Sequence, residues 1–136
     1  MEAAAGLSTE LVLLGWSVVL LLVHILVQSG AMTRETGLSW NASARDGGPK
    51  ASSVMAGRSE RALKNFLETY AAFVGLAVAL AITEKTGGIG ALGALVWFFG
   101  RVLYLPLYLT GIAYIRSIVW AIATGGLLLM LWALLT

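Results

Sequence analysis

What most constrains this chain is a long run without a charge. Between Glu10 and Arg34 it reads LVLLGWSVVLLLVHILVQSGAMT. The hydrocarbon core of a bilayer, about 30 Å thick, takes about 20 such residues as an α-helix. The acidic flank MEAAAGLSTE has none of the basic residues of a signal-peptide n-region, and the apolar run is too long for an h-region, so an uncleaved helix is expected. Three more spans follow. The chain is uncharged only from Thr69 to Thr83, which is too short, so the second span has to begin inside ERALKNFLETY at 60–70. The third runs from about Ile89 to Tyr108 with Arg101 inside it, and the fourth is uncharged from Ser117 to Thr136. The expected fold is a single all-α integral membrane domain. It is a four-helix bundle with helices at about 8–32, 59–83, 88–110 and 115–135 and a polar loop at 33–58.

Composition agrees. Of 136 residues, 59% are hydrophobic and 12% charged, about half the charge a water-facing domain carries. The absence of cysteine excludes disulfides, thiolate metal sites and cysteine nucleophiles, and a single histidine, His24, excludes a His-rich metal site. A net charge of +2 gives no nucleic-acid footprint.

Lysine and arginine mark the cytoplasmic side of a membrane protein. The 33–58 loop carries Arg34, Arg45, Lys50 and Arg58, and Arg61, Lys64 and Arg116 fall at the same level. The opposite end has only Lys85, in the tight KTGGIG connection. Both termini are therefore expected outside the cytoplasm. The Asn41-Ala-Ser43 sequon falls on the cytoplasmic side and is discounted.

Ionisable residues inside spans are expensive and face a bundle interior or a wet cavity. Arg61, Asn65 and Glu68 stand at i, i+4 and i+7 on the second helix, with Lys64 beside them. Arg101, Tyr104 and Tyr108 share a face of the third, and Arg116 and Ser117 open the fourth at the same depth. Internal pairing, above all Glu68 with Arg101, is one reading of this set. The cations outnumber the carboxylate, however, and an anionic ligand would account for the surplus. On helix one, His24 and Gln28 form a small polar stripe suited to interhelical hydrogen bonds. Trp97, Trp120 and Trp132, with Trp40 in the loop, read as interface or lipid-facing aromatics. Gly125-Gly126 reads as a site of close helix packing.

ERALKNFLETYAAF resembles the second-helix signature of the MAPEG family, the membrane-associated proteins in eicosanoid and glutathione metabolism. That signature is an Arg followed four residues on by Asn and three further by Glu. RVLYLPLYLTGIAYIRSIVW is similar to the same family's third-to-fourth helix segment, and its Arg-Ser-x-x-Trp ending looks more like the bacterial branch. The resemblance implies a homotrimer with glutathione as co-substrate, bound between subunits near the cytoplasmic face, in a bacterial inner membrane. Lys64, Asn65, Glu68, Arg101, Tyr104 and Tyr108 would be ligand contacts. Arg116 and Ser117 would be the catalytic pair that activates the thiol towards a lipophilic substrate. Lys64 stands where many animal members have Arg, and Tyr104 where some have His. The expected function is that of a glutathione transferase, peroxidase or isomerase; the alternative is a non-catalytic trimer with a binding or structural role. A small four-helix multidrug transporter would need a membrane-embedded carboxylate in helix one, and none stands between Glu10 and Glu35.

Overall fold

A computed structural model of the chain describes residues 6–37, 44 and 53–136. Trp40, the sequon at 41–43, Arg45 and Lys50 lie outside the described residues. Four helices follow one another: α1 Thr9–Thr36, α2 Val54–Ile82, α3 Gly88–Leu109 and α4 Ala113–Leu135. All four are long and apolar enough to cross a membrane, and the protein is a multi-pass all-α membrane bundle.

The helices bordering the first loop run further than the charge pattern implies, and their caps explain why. Ser53 accepts the backbone N–H of Ala56 at 3.0 Å, which starts α2 at Val54 and brings Arg58 into the helix. The Glu35 carboxylate accepts the Ser53 N–H at 3.0 Å and ties the end of α1 to the start of α2. α1 stops at Gly37, whose φ of 87° suits glycine. At the other end of the bundle Gly87 offers no side chain to cap α3. The buried Glu10 carboxylate takes its N–H instead, at 3.0 and 3.3 Å. Lys85 Nζ donates to the Leu134 carbonyl at 2.9 Å. Both described termini of the bundle thus meet the α2–α3 turn at one end, and Arg58, Arg101 and Arg116 gather at the other.

In cross-section α1 and α4 occupy opposite corners with no close approach between their backbones, and α2 touches each of the other helices. The α3–α4 contact is the most extensive, because Gly93 and Gly126 let the two backbones meet. A Cβ on either glycine would lie 2.5 Å from the other's carbonyl oxygen. Small residues at such crossings permit the van der Waals contact that holds membrane helices together. Gly125 meets nothing within 4 Å, so of the Gly125-Gly126 pair only Gly126 serves the packing.

Trp97 corrects the lipid-facing expectation. It is 1% exposed and stacks on Phe73 with ring centroids 4.0 Å apart, filling the centre of the bundle one turn beyond Gly93. Trp132 does face outward, at 61% exposure. Leu26, Ile82 and Leu128 also point outward, an apolar surface suited to lipid.

Candidate functional site

The polar residues of three helices converge at the end of the bundle where α1 stops and α2 begins. Arg101 is the centre of the group. Its side chain is 1% exposed, and Nη1 donates to Asn65 Oδ1 at 2.9 Å, joining α3 to α2. The guanidinium carbon lies 4.2 Å from the Tyr104 ring centroid and 5.4 Å from that of Phe66, both within cation–π reach. Tyr104 meets Tyr108 edge-on at 5.7 Å, and the Arg116 guanidinium lies 4.5 Å from the Tyr108 ring. The result is one continuous string, Asn65–Arg101–Tyr104–Tyr108–Arg116, crossing from α2 through α3 to α4. The i, i+3, i+7 spacing on α3 produces it, because it stacks Arg101, Tyr104 and Tyr108 down a single face.

The other sequence-designated residues lie outside this string. Lys64 and Glu68 line an open groove of about 540 Å³ between α1 and α2, together with Gln28, Glu60, Leu63 and Leu67. Glu68 is within electrostatic reach of Arg101 and Tyr104, but it hydrogen-bonds neither. The internal Glu68–Arg101 pair considered from the sequence is not formed; the guanidinium instead bonds Asn65 through Nη1 and lies against the Tyr104 and Phe66 rings. Arg61 turns back along its own helix, with Nη1 lying 3.0 Å from where a Cβ on Gly57 would sit. Ser117 is exposed, and its hydroxyl donates to the Ala113 carbonyl at 3.2 Å. A second groove, of about 660 Å³, runs along the last turns of α1 past Leu26, Val27, Ala31 and Arg34 to Met55.

Arg101 keeps two donors uncommitted. Nε and Nη2 are buried and meet no hydrogen-bond acceptor among the described residues. These two nitrogens form the edge of a guanidinium that grips a carboxylate in two-pronged fashion. A carboxylate is chemically matched to such an edge. The model of the MAPEG family matches residues 13–136.

The chain belongs to the MAPEG family.

No curated protein and no solved structure matches it. Membership makes it, in general terms, a glutathione-related membrane protein, and the match takes in α1 from Leu13 onward, the other three helices whole and every residue of the string.

Three residues beside this MAPEG site carry little or no signal in the sequence. Phe66 is fully buried and lies against both Arg101 and His24, yet one Phe among many apolar residues does not stand out. His24 is visible as the one ionisable residue between Glu10 and Arg34. Its expected interhelical hydrogen bond is replaced by stacking on Phe66 at 4.7 Å, and neither ring nitrogen meets a protein partner among the described residues. Arg58, counted with the loop from the sequence, donates from Nη1 to the Leu109 carbonyl at 3.1 Å.

Proposed function

We propose that this MAPEG protein is a glutathione-dependent membrane enzyme of the transferase, peroxidase or isomerase type, acting on a lipophilic substrate. The observation that carries the reading is the assembled Asn65–Arg101–Tyr104–Tyr108–Arg116 string with its uncommitted Arg101 edge, in a chain of a family that generally uses glutathione. Asn65, Arg101, Tyr104 and Tyr108 form one wall of the ligand site. Lys64 and Glu68 contribute from the neighbouring groove, Glu68 matching the ammonium of glutathione and Lys64 a carboxylate. Arg116 and Ser117 stabilise the thiolate. A free thiol ionises near ~8.5, and a neighbouring cation and hydroxyl donor shift the equilibrium towards the nucleophile. The proton leaves to solvent, and sulfur then bonds to an electrophilic carbon of an apolar substrate that arrives from the bilayer, as the leaving group departs with its bonding pair.

The assembly is a homotrimer with glutathione held between subunits. The outward direction of Ser117 supports this, since a residue that turns away from its own string is available to a neighbouring subunit. The orientation puts both termini outside the cytoplasm, supported by the cations gathered at the Arg34–Arg58–Arg116 end, and the membrane is a bacterial inner membrane. Calorimetric titration of glutathione into detergent-solubilised protein tests the ligand. Asn65→Ala and Glu68→Ala are expected to weaken binding, and unchanged affinity in both would mean the site is misplaced. Native mass measurement tests the assembly separately, and a monomer or dimer would contradict it. Glutathione binding without thiolate formation would favour the non-catalytic binding trimer.

A further inference from the structure

The turn between α3 and α4 decides where Arg116 stands relative to Tyr108, and its hydrogen bonds can be accounted for one by one. α3 ends at Leu109 in a Schellman arrangement. Thr110 N–H donates to the Pro106 carbonyl at 3.0 Å, Gly111 N–H to Tyr108 at 3.1 Å and Ile112 N–H to Leu107 at 3.1 Å. Gly111 takes the left-handed φ of 77° that this motif requires. Those bonds leave the Leu109 carbonyl without a partner from the turn itself. The partner comes from another helix: Arg58 Nη1 on α2, at 3.1 Å. The same guanidinium lies flat on the turn, and a Cβ on Gly111 would come within 2.6 Å of Nη2. A cation at a helix C-terminus is also favoured by the helix dipole. On the far side of the turn, α4 begins after Ile112, whose side chain makes no capping hydrogen bond. The start of α4 therefore has no local side-chain cap, and among the described residues the side chain that bonds the turn's backbone from outside it is Arg58.

We infer that Arg58 is a positioning residue for the site. By bonding Leu109 and lying across Gly111 it holds the α3–α4 turn against α2, the helix that carries Asn65. It thereby sets Arg116 over Tyr108. It is not a member of the string, and acts through the turn. The functional half of this inference rests on the proposed glutathione chemistry, whereas the structural half stands on the turn alone.

The test compares Arg58→Met, which keeps the length and loses the donors, with Arg58→Lys, which keeps one charged donor. Amide hydrogen exchange across residues 110–117 reads the structural half in detergent-solubilised full-length protein. Arg58→Met is expected to speed exchange there by about tenfold while leaving the centre of α1 unchanged, with Arg58→Lys between it and wild type. Glutathione thiolate absorbance against pH, with kcat and KM measured separately, reads the functional half. Arg58→Met is expected to lower kcat about 10- to 100-fold, the scale of a displaced catalytic group, and to move thiolate formation to higher pH. KM should change less than about threefold, and Arg58→Lys should recover part of kcat. Unchanged exchange across 110–117 in both variants would overturn the inference. So would faster exchange with an unchanged thiolate profile and kcat. A wild-type protein that forms no thiolate would defeat the glutathione reading instead, and exchange would still decide whether Arg58 holds the turn. Should Arg58→Met fail to fold, Arg58→Lys alone decides: wild-type exchange and kcat in it, with a third variant Arg58→Gln matching it, would show that the charge and the fork are not needed.

Discussion

Replacing Asn65 with Ala removes the one hydrogen bond that the Arg101 guanidinium makes among the described residues. With the partner gone, a cation that is 1% exposed has no acceptor among the described side chains around it. Hydrogen bonds to charged groups contribute about 1.5–3 kcal/mol, whereas interhelical bonds in membranes average nearer ~0.6 kcal/mol. The ionised donor and its burial place this bond in the upper range. The Tyr104 face at 4.2 Å still holds the guanidinium, which keeps the loss from rising further. We expect Asn65→Ala to destabilise the bundle by about 2 kcal/mol, roughly a thirtyfold change in the unfolding equilibrium. Unfolding in mixed micelles, followed by far-ultraviolet circular dichroism of the four helices, gives the measurement. The control is a double-mutant cycle with Arg101→Met, in which Asn65→Ala should cost less than about 0.5 kcal/mol, because no charge then needs the acceptor. An equal cost in both backgrounds would refute the assignment of this energy to the Asn65–Arg101 bond.

Two further outcomes follow from the geometry. Gly126→Ala should destabilise the protein by about 1–3 kcal/mol, since its Cβ would press on the Gly93 carbonyl and the Trp97 backbone. Gly125→Ala should be neutral to within about 0.5 kcal/mol, and thermal unfolding of the two single variants in detergent distinguishes them. Lys64→Arg restores a two-pronged donor on the groove beside Glu68. Calorimetry should then show glutathione affinity raised by about threefold to tenfold, and weaker binding would mean that Lys64 faces no carboxylate.

The spans were legible because charge is expensive in hydrocarbon, so long runs with few charges mark them. Their ends were less legible. Ser53 starts α2 well before the first apolar stretch, and a capping serine in a loop full of Ser and Gly carries no distinguishing pattern. Helical spacing also put Arg101, Tyr104 and Tyr108 on one face, and the structure joins them to Asn65 and Arg116. Spacing could not say that Lys64 and Glu68 border a separate groove, because one residue of rotation on α2 decides which way each points. Nor could it separate Gly126 from Gly125, or show Trp97 inside rather than outside, since both depend on where α3 crosses α4. Glu10 at Gly87 and Arg58 at Leu109 are contacts between distant parts of the chain, set by tertiary placement alone.

The account rests most heavily on the site's ability to hold glutathione as a thiolate. Ultraviolet difference absorbance, recorded while glutathione is titrated into the detergent-solubilised protein at neutral pH, reads this directly. A saturating thiolate signal is predicted, lost in Arg116→Ala and reduced in Ser117→Ala. Saturable binding heat with no thiolate band would contradict the catalytic reading, and the absence of both would contradict glutathione as the ligand.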